Sequence, residues 1–573
     1  MQGCHGQVFG NHVKISHSAS VTARFLKKAF WSCSIGILSL ISWTDVGIPA
    51  PIPTNTIARL ENSHSSHALS LEHLGLFQGT DFTLATGNCK NCNVPPQALW
   101  YFQNEVIAIP IDDQITTSST QQPFLTWLSS LDVLQHAQLN ESASHITLHN
   151  GKKIPLELTP KIASNRAYYD DSTTQYFQNQ PLRLRGEFKK SEQSSTFIAK
   201  MIWPETFRLN LNQPPAETSG SSPSLSTLIE EQSGGASAPF QTQIMWERNP
   251  EVSREWSNHA VLGLMLNGAQ GDDDEAHGGH FGLVTGRVGP EGQMADWMMN
   301  NFYDLDLESE KGIIPSMLPL DHYLMDLNSG QSYYRPSYLL VAILKKDRIA
   351  RNVQASTQKI FEKFYRHDFL YHHAKANCTG LSIDIVRNLG WSIPMKGPTS
   401  YLKAIGAFYY VTAKEQSVTS GEKIYDYLTQ EQTRLFPRMA FETAGQDLLN
   451  IVKGTAETTN RTLTPFERQL QEDVEAIVFV RIPQIPSSRA LGTYPVLTFN
   501  DYQQRVPEDR DDWQIVPVAL RLFPEKFRDI AAPSAQPTFL STTMILTVLP
   551  ACILGVIALL MFIRRRKSKG NVV

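Results

Sequence analysis

Two short motifs, far apart in the chain, constrain its fold more than anything else in it. The first, Gly279-His280-Phe281-Gly282-Leu283-Val284-Thr285-Gly286, puts a histidine at the start of a short apolar strand bracketed by glycines. The second, Asn377-Cys378-Thr379-Gly380, puts a cysteine in the first turn of a helix. Leu381, Ile385, Val386 and Leu389 recur there at helical spacing, and Gly390 follows as a stop. At a helix N-terminus the macrodipole and the first-turn N–H groups favour thiolate, and an imidazole held on a strand can take the proton. The pattern therefore asks for a fold in which that helix lies against that strand.

Each residue also has a plainer reading. A free cysteine is often just a small buried apolar residue, but that leaves the polar Asn377 and Thr379 on either side of it unexplained. A lone strand histidine is often structural, yet Gly278-Gly279 ahead of His280 points to close approach of backbone or substrate. Next, Gly289-Pro290-Glu291-Gly292 reads as a turn and Gln293 to Asn301 as a returning strand, which brings residues 299–301 across from His280. Asn300 is the residue expected to fix the imidazole tautomer, with Asp296 and Asp304 in reserve. His372 and His373 are reserve bases, poorly placed on the turn that leads into Cys378. A rival chemistry is a metal-dependent hydrolase built on His277, His280 and the run Asp272 to Glu275. His-x-x-His on a glycine loop is a weaker ligand spacing than the same pair on a helix, so neither metal nor cofactor is expected.

The 573 residues can fill about two to four domains. A hydrophobic content of 41% marks a folded chain, and a net charge of −4 gives no overall basic field for nucleic acid. Both ends carry membrane signals. Phe30 to Ile48 is mostly apolar and follows Arg24, Lys27 and Lys28, but its uninterrupted core, Ile35 to Trp43, suits an export signal better than a span. Phe539 to Ile563 is uncharged and stops at Arg564-Arg565-Arg566-Lys567, which predicts a transmembrane helix with a cytoplasmic C-terminus. Residues from about 50 to 538 are then expected outside the cytoplasm, periplasmic or at the cell surface. Of the six cysteines, Cys4, Cys33 and Cys552 fall in the leader or the membrane segments. Cys89 and Cys92 pair most simply as a local disulfide; a zinc half-site is the other possibility, but no second Cys-x-x-Cys completes it. Cys378 is left over, and an exported protein that keeps one unpaired thiol usually has a use for it.

The remaining organisation follows from patterning. Residues 1–50 are a basic leader with the export signal or anchor, and 51–212 a β-rich domain. In that domain Ile146-Thr-Leu-His and Ile154 to Leu158 flank the hairpin signal Asn150-Gly151, and Leu182 to Phe188 pairs with part of Phe197 to Leu209. Residues 213–239 are a Ser/Gly/Pro-rich linker, 240–415 the thiol domain, and 416–530 an α/β extension packing on it. The extension contains a helical stretch Gly421 to Val452, a buried strand Ala476 to Ile482, and Trp513 to Phe523 in similar style. A tether at 531–538, the span at 539–563 and the tail at 564–573 complete the chain.

His-strand first and Cys-helix later resembles the circularly permuted branch of the papain-like thiol enzymes. That branch includes NlpC-type and lecithin retinol acyltransferase-like proteins and bacterial lipoprotein N-acyltransferase-like membrane proteins. The likeness rests on His280 to Gly286 and Asn377-Cys378-Thr379 and covers about 250–400. It implies Cys378 as nucleophile and His280 as base. No second histidine follows His280 at a suitable distance, so the likeness does not place the third residue. The fold class expected is α+β: a permuted papain-like domain, a small all-β domain before it and a C-terminal transmembrane helix. The function expected is a cysteine-dependent acyl transferase or amide hydrolase acting on a membrane lipid, a lipoprotein or a cell-wall peptide. The alternative is a non-catalytic binding protein or scaffold of the same fold.

Overall fold

Strands buried along nearly their whole length need cover on both faces, and four such strands make the middle of this protein. They are β10 (Ala260–Asn267), β11 (His280–Arg287), β15 (Ser337–Leu344) and β16 (Val474–Ile482). The computed structural model describes residues 74–78, 96–158, 171–212, 224–487 and 518–520, less 103–104, 111–124, 131, 191–194, 231–237, 251–253, 269–278, 306, 310–312, 334, 369, 399 and 457–460.

On one side of the four central strands lies β9 (Gln241–Glu247), paired with β16. On the other lie β12 (Met298–Asn301) and β14 (Ser316–Pro319), then β3 (Thr126–Trp127), β2 (Val106–Pro110) and β1 (Leu74–Gln78). The resulting ten-stranded sheet runs β1-β2-β3-β14-β12-β11-β10-β15-β16-β9, antiparallel throughout except between β14 and β3. Its core reaches from Trp127 to Ile482. The Pro437–Val452 helix presses closely on the sheet because Gly445 has no side chain there. A Cβ at that position would lie 2.9 Å from Leu340 and 2.6 Å from Leu225.

Five further strands close into a small barrel, β4 (Asp132–Leu139), β5 (His145–Thr147), β6 (Lys153–Leu158), β7 (Leu182–Lys190) and β8 (Ser195–Pro204). The turn between β5 and β6 carries Gly151 at a φ of 78°, which glycine adopts without steric cost. The parallel pair β6–β8 completes the closure, and Leu139, Ile146, Leu156, Leu184 and Phe197 fill the inside. In a separate two-stranded sheet, β13 (Leu307–Ser309) pairs with β17 (Val518–Leu520).

Several expectations need correction. The predicted transmembrane helix, and with it the placement of the chain as a single-span membrane protein, is overturned: no helix among the described residues is long and apolar enough to cross a membrane. Residues 539–563 themselves lie outside the described residues, as do the leader and the pair Cys89 and Cys92. An uncharged run of membrane length with flanking cations satisfies a composition test only; Ser541-Thr542-Thr543 and Pro550 within it are poor helix formers. The fold class is accordingly mixed α/β with a sheet and a barrel, without that element. The stretch read as linker contains a packed helix, Leu225–Ile229, with all three of its large apolar residues buried. The helical stretch from Gly421 to Val452 is broken after Thr429 and again at Pro437, which starts a new helix where its missing N–H costs nothing. The returning strand is only Met298–Asn301, because Met294 to Trp297 forms a turn in which the Trp297 indole donates to Arg287 O at 2.7 Å.

Candidate functional site

Asn377 makes the start of the cysteine helix. Its Oδ1 accepts from Gly380 N at 2.7 Å, a side-chain cap, while its Nδ2 donates to His373 O at 2.8 Å and Leu435 O at 3.3 Å. Cys378 is therefore the first residue of the Cys378–Asn388 helix, which ends at Gly390 with a φ of 107°. That helix packs against β11, the strand that begins with His280. Three of the four first amides are taken. Cys378 N donates to Tyr371 Oη at 3.3 Å, Gly380 N to the cap, and Leu381 N to Asn377 O at 2.9 Å. The Thr379 amide makes none of these bonds.

His280 is 5% exposed and Cys378 6%. The buried His280 Nε2 has no hydrogen-bond partner, so the imidazole does not use that nitrogen on the thiol. Burial first, and the nearby Arg335 guanidinium second, lower the imidazole to about 3, so it is neutral around pH 7. Tyr323 is the neighbour common to both motifs. Its ring centroid lies 6.2 Å from that of His280, and its phenol is close enough to Cys378 for a thiolate there to raise it. Burial is the largest cause that pushes Tyr323 above the ordinary phenol range.

Behind this group lies a polar row across the sheet. Register pairs Asn267 with His280 on one side and with Ser337 on the other, so the three side chains share one face. Asn267 Nδ2 donates to Ser337 Oγ at 2.7 Å, and its Oδ1 accepts from Tyr323 Oη at 2.5 Å. Arg335 is fixed by Gln331 Oε1, at 2.8 and 2.6 Å, and by Gly268 O at 3.2 Å.

Asn300 is not bonded to His280. Its Oδ1 accepts from Leu283 N, replacing a ladder carbonyl where β12 leaves β11, and its Nδ2 is buried without a partner. Asp296 is committed to Arg183 and Arg185, and Asp304 is half-buried in the turn after β12. His372 Nδ1 accepts from Ala374 N and Lys375 N at 3.2 Å, which ties it into its own loop. Residues 272–277 lie outside the described residues, and among those described no group of three His, Cys, Asp or Glu is placed to hold a metal.

Asn267, Tyr323 and Arg335 escaped the sequence reading. A signal for Asn267 exists: it is the one polar residue ending the apolar run from Ala260 to Leu266. Tyr323 and Arg335 carry no local pattern of that kind. No protein-family model, curated protein or solved structure matches the chain.

Proposed function

We propose that the protein is a cysteine-dependent acyl-transfer enzyme or amide hydrolase. One observation carries the reading: a helix beginning at Cys378 packs on a strand beginning at His280, whose buried neutral imidazole keeps one ring nitrogen uncommitted. In the reaction, the Cys378 thiol proton passes to His280, the thiolate that forms raising the imidazole from its buried value by pairing with the imidazolium, and the sulfur attacks the carbonyl carbon of an ester or amide. The Thr379 amide supports the oxyanion. The bond to the leaving alcohol or amine breaks as His280 returns the proton, leaving a thioester. Water or an acceptor hydroxyl or amine then attacks the thioester, giving the acid or the new ester or amide and restoring the thiol. The acyl group is that of a lipid, a lipoprotein or a wall peptide. His280 is the base; Asn267, through Tyr323, is a positioning residue, and Asn300 holds the strand on which the base sits.

The test is alkylation of Cys378 by iodoacetamide from pH 5 to 9, followed at the Cys378 peptide, with His280→Ala alongside. Expected is a midpoint below the ordinary thiol value of about 8.5, lost or shifted in the variant, and a thioester at Cys378 visible by intact mass after an activated ester is added. A second reading, a non-catalytic binding protein of the same fold, draws support from the near-complete burial of both side chains and from Tyr371 on the Cys378 amide. Slow alkylation, indifferent to His280, would overturn the enzyme and leave that second reading.

A further inference from the structure

The same register that ends in Asn267 and His280 begins with Ala260 and Arg287, roughly 24 Å away at about 3.4 Å per residue. At that far end lies a cavity of about 590 Å³. Its walls are the turn before β10, the end of β11, the end of β15 and the start of the Arg348–Tyr365 helix. Arg287, Lys345, Lys346, Arg348 and Arg351 line it against a single carboxylate, Asp347. Arg348 is drawn off to Asp473, at 2.5 Å, and Glu472, at 3.0 Å.

Asp347 stands at the N-cap position of the 18-residue helix yet makes no side-chain cap. Instead its two oxygens hold two guanidiniums, Arg287 and Arg351, each at 3.0 Å. Arg287 is braced further by Asn258 O at 3.0 Å. Two arginines on Asp347, two exposed lysines beside them and the N-terminal end of a long helix without a side-chain cap all border one concavity.

We propose that this cavity binds the phosphate group of a small phosphorylated molecule, at a site separate from Cys378 and His280. A phosphate dianion presents several acceptor oxygens to guanidinium, ammonium and first-turn N–H donors at once. The volume lies within the few hundred Å³ of small-molecule sites and exceeds what phosphate alone fills, so the rest of the molecule occupies the remainder.

The probe is inorganic pyrophosphate added to the full chain, read by thermal unfolding and by titration calorimetry, with sodium chloride at matched ionic strength as reference. The variant is Lys345→Gln with Lys346→Gln; both side chains are exposed, so its unliganded Tm should match that of the original protein. Expected is a concentration-dependent rise in Tm, with affinity reduced at least about tenfold in the double variant and Cys378 alkylation unchanged. No stabilisation beyond the chloride reference overturns the site, as does equal stabilisation of the double variant. Co-sedimentation with phosphatidic acid vesicles in the absence of any response to pyrophosphate would overturn the small-molecule reading in favour of a lipid headgroup.

Discussion

His280 is held neutral by burial, and that has a consequence for stability as well as chemistry. In the unfolded chain the imidazole titrates near its ordinary 6.5, and in the folded protein near 3. Between those values the unfolded state binds more protons, so stability falls as pH falls. The penalty is absent above pH 6.5, reaches about 2 kcal/mol at pH 5 and is complete only below about 3. Replacing His280 with Gln should remove this share. In urea titrations at pH 8 and pH 5, the variant should gain about 2 kcal/mol relative to the original protein on going to the lower pH. Parallel pH profiles for the two would show that the imidazole is not buried neutral. His280 and Cys378 were legible in the sequence because each interrupts a pattern: a base among glycines and apolar residues, a thiol between two polar residues at a helix start. Asn267 was not, since its relation to His280 exists only once β10 and β11 pair in register. The expected partner, Asn300, lies on the following strand, where a short β12 sets it against Leu283 N.

At the scale of elements, the cysteine helix depends on Asn377 for its start and for its attachment. That one side chain caps Gly380 N and donates to the 373 loop and to Leu435 O. Asn377→Ala should lower stability by about 1–3 kcal/mol, from the lost cap and the carbonyls left without a donor. Asn377→Asp keeps the cap acceptor and gives up the two donors, so it should fall between the two in thermal unfolding; an alanine variant with unchanged Tm would remove Asn377 from this role. Elements with strong local signals were readable: the cysteine helix with its glycine stop, the Asn150-Gly151 hairpin and the strand through Ala476 to Ile482. What was not readable depends on tertiary packing. Leu225, Leu228 and Ile229 look like a minor apolar patch in a Ser/Gly/Pro stretch until the Pro437–Val452 helix covers them, with Arg438 reaching Ser226 and Glu230.

At the scale of the whole molecule, the join between barrel and sheet contains an ionic cluster centred on a fully buried carboxylate, Asp321. Arg183 and Arg185, on β7, meet Asp296, in the turn before β12, and Asp321, in the first turn of the Leu320–Met325 helix. Arg185 Nε donates to Asp321 Oδ2 at 2.8 Å and its Nη2 to Asp296 Oδ1 at 2.8 Å. Arg183 clasps both oxygens of Asp296, at 3.0 and 2.5 Å, and places Nε 3.1 Å from Asp321. Asp321 is fully buried and also accepts from His322 N at 2.7 Å. A buried ion cluster of this kind adds little over a well-packed apolar contact, but losing one partner leaves charge stranded in a poor solvent. Asp321→Ala should therefore cost about 3–5 kcal/mol, whereas an exposed pair such as Arg208 with Glu291 can be removed at about 0–1 kcal/mol. The loss should fall first on the barrel, because the docking charges are on β7 while the ten-stranded sheet keeps its own ladder. Limited proteolysis should cut the Asp321→Ala variant within 132–204 sooner than within 260–344. Uniform cleavage of both, at the rate of the original protein, would mean that the barrel is held by its apolar contacts and that the four charges only fix its orientation.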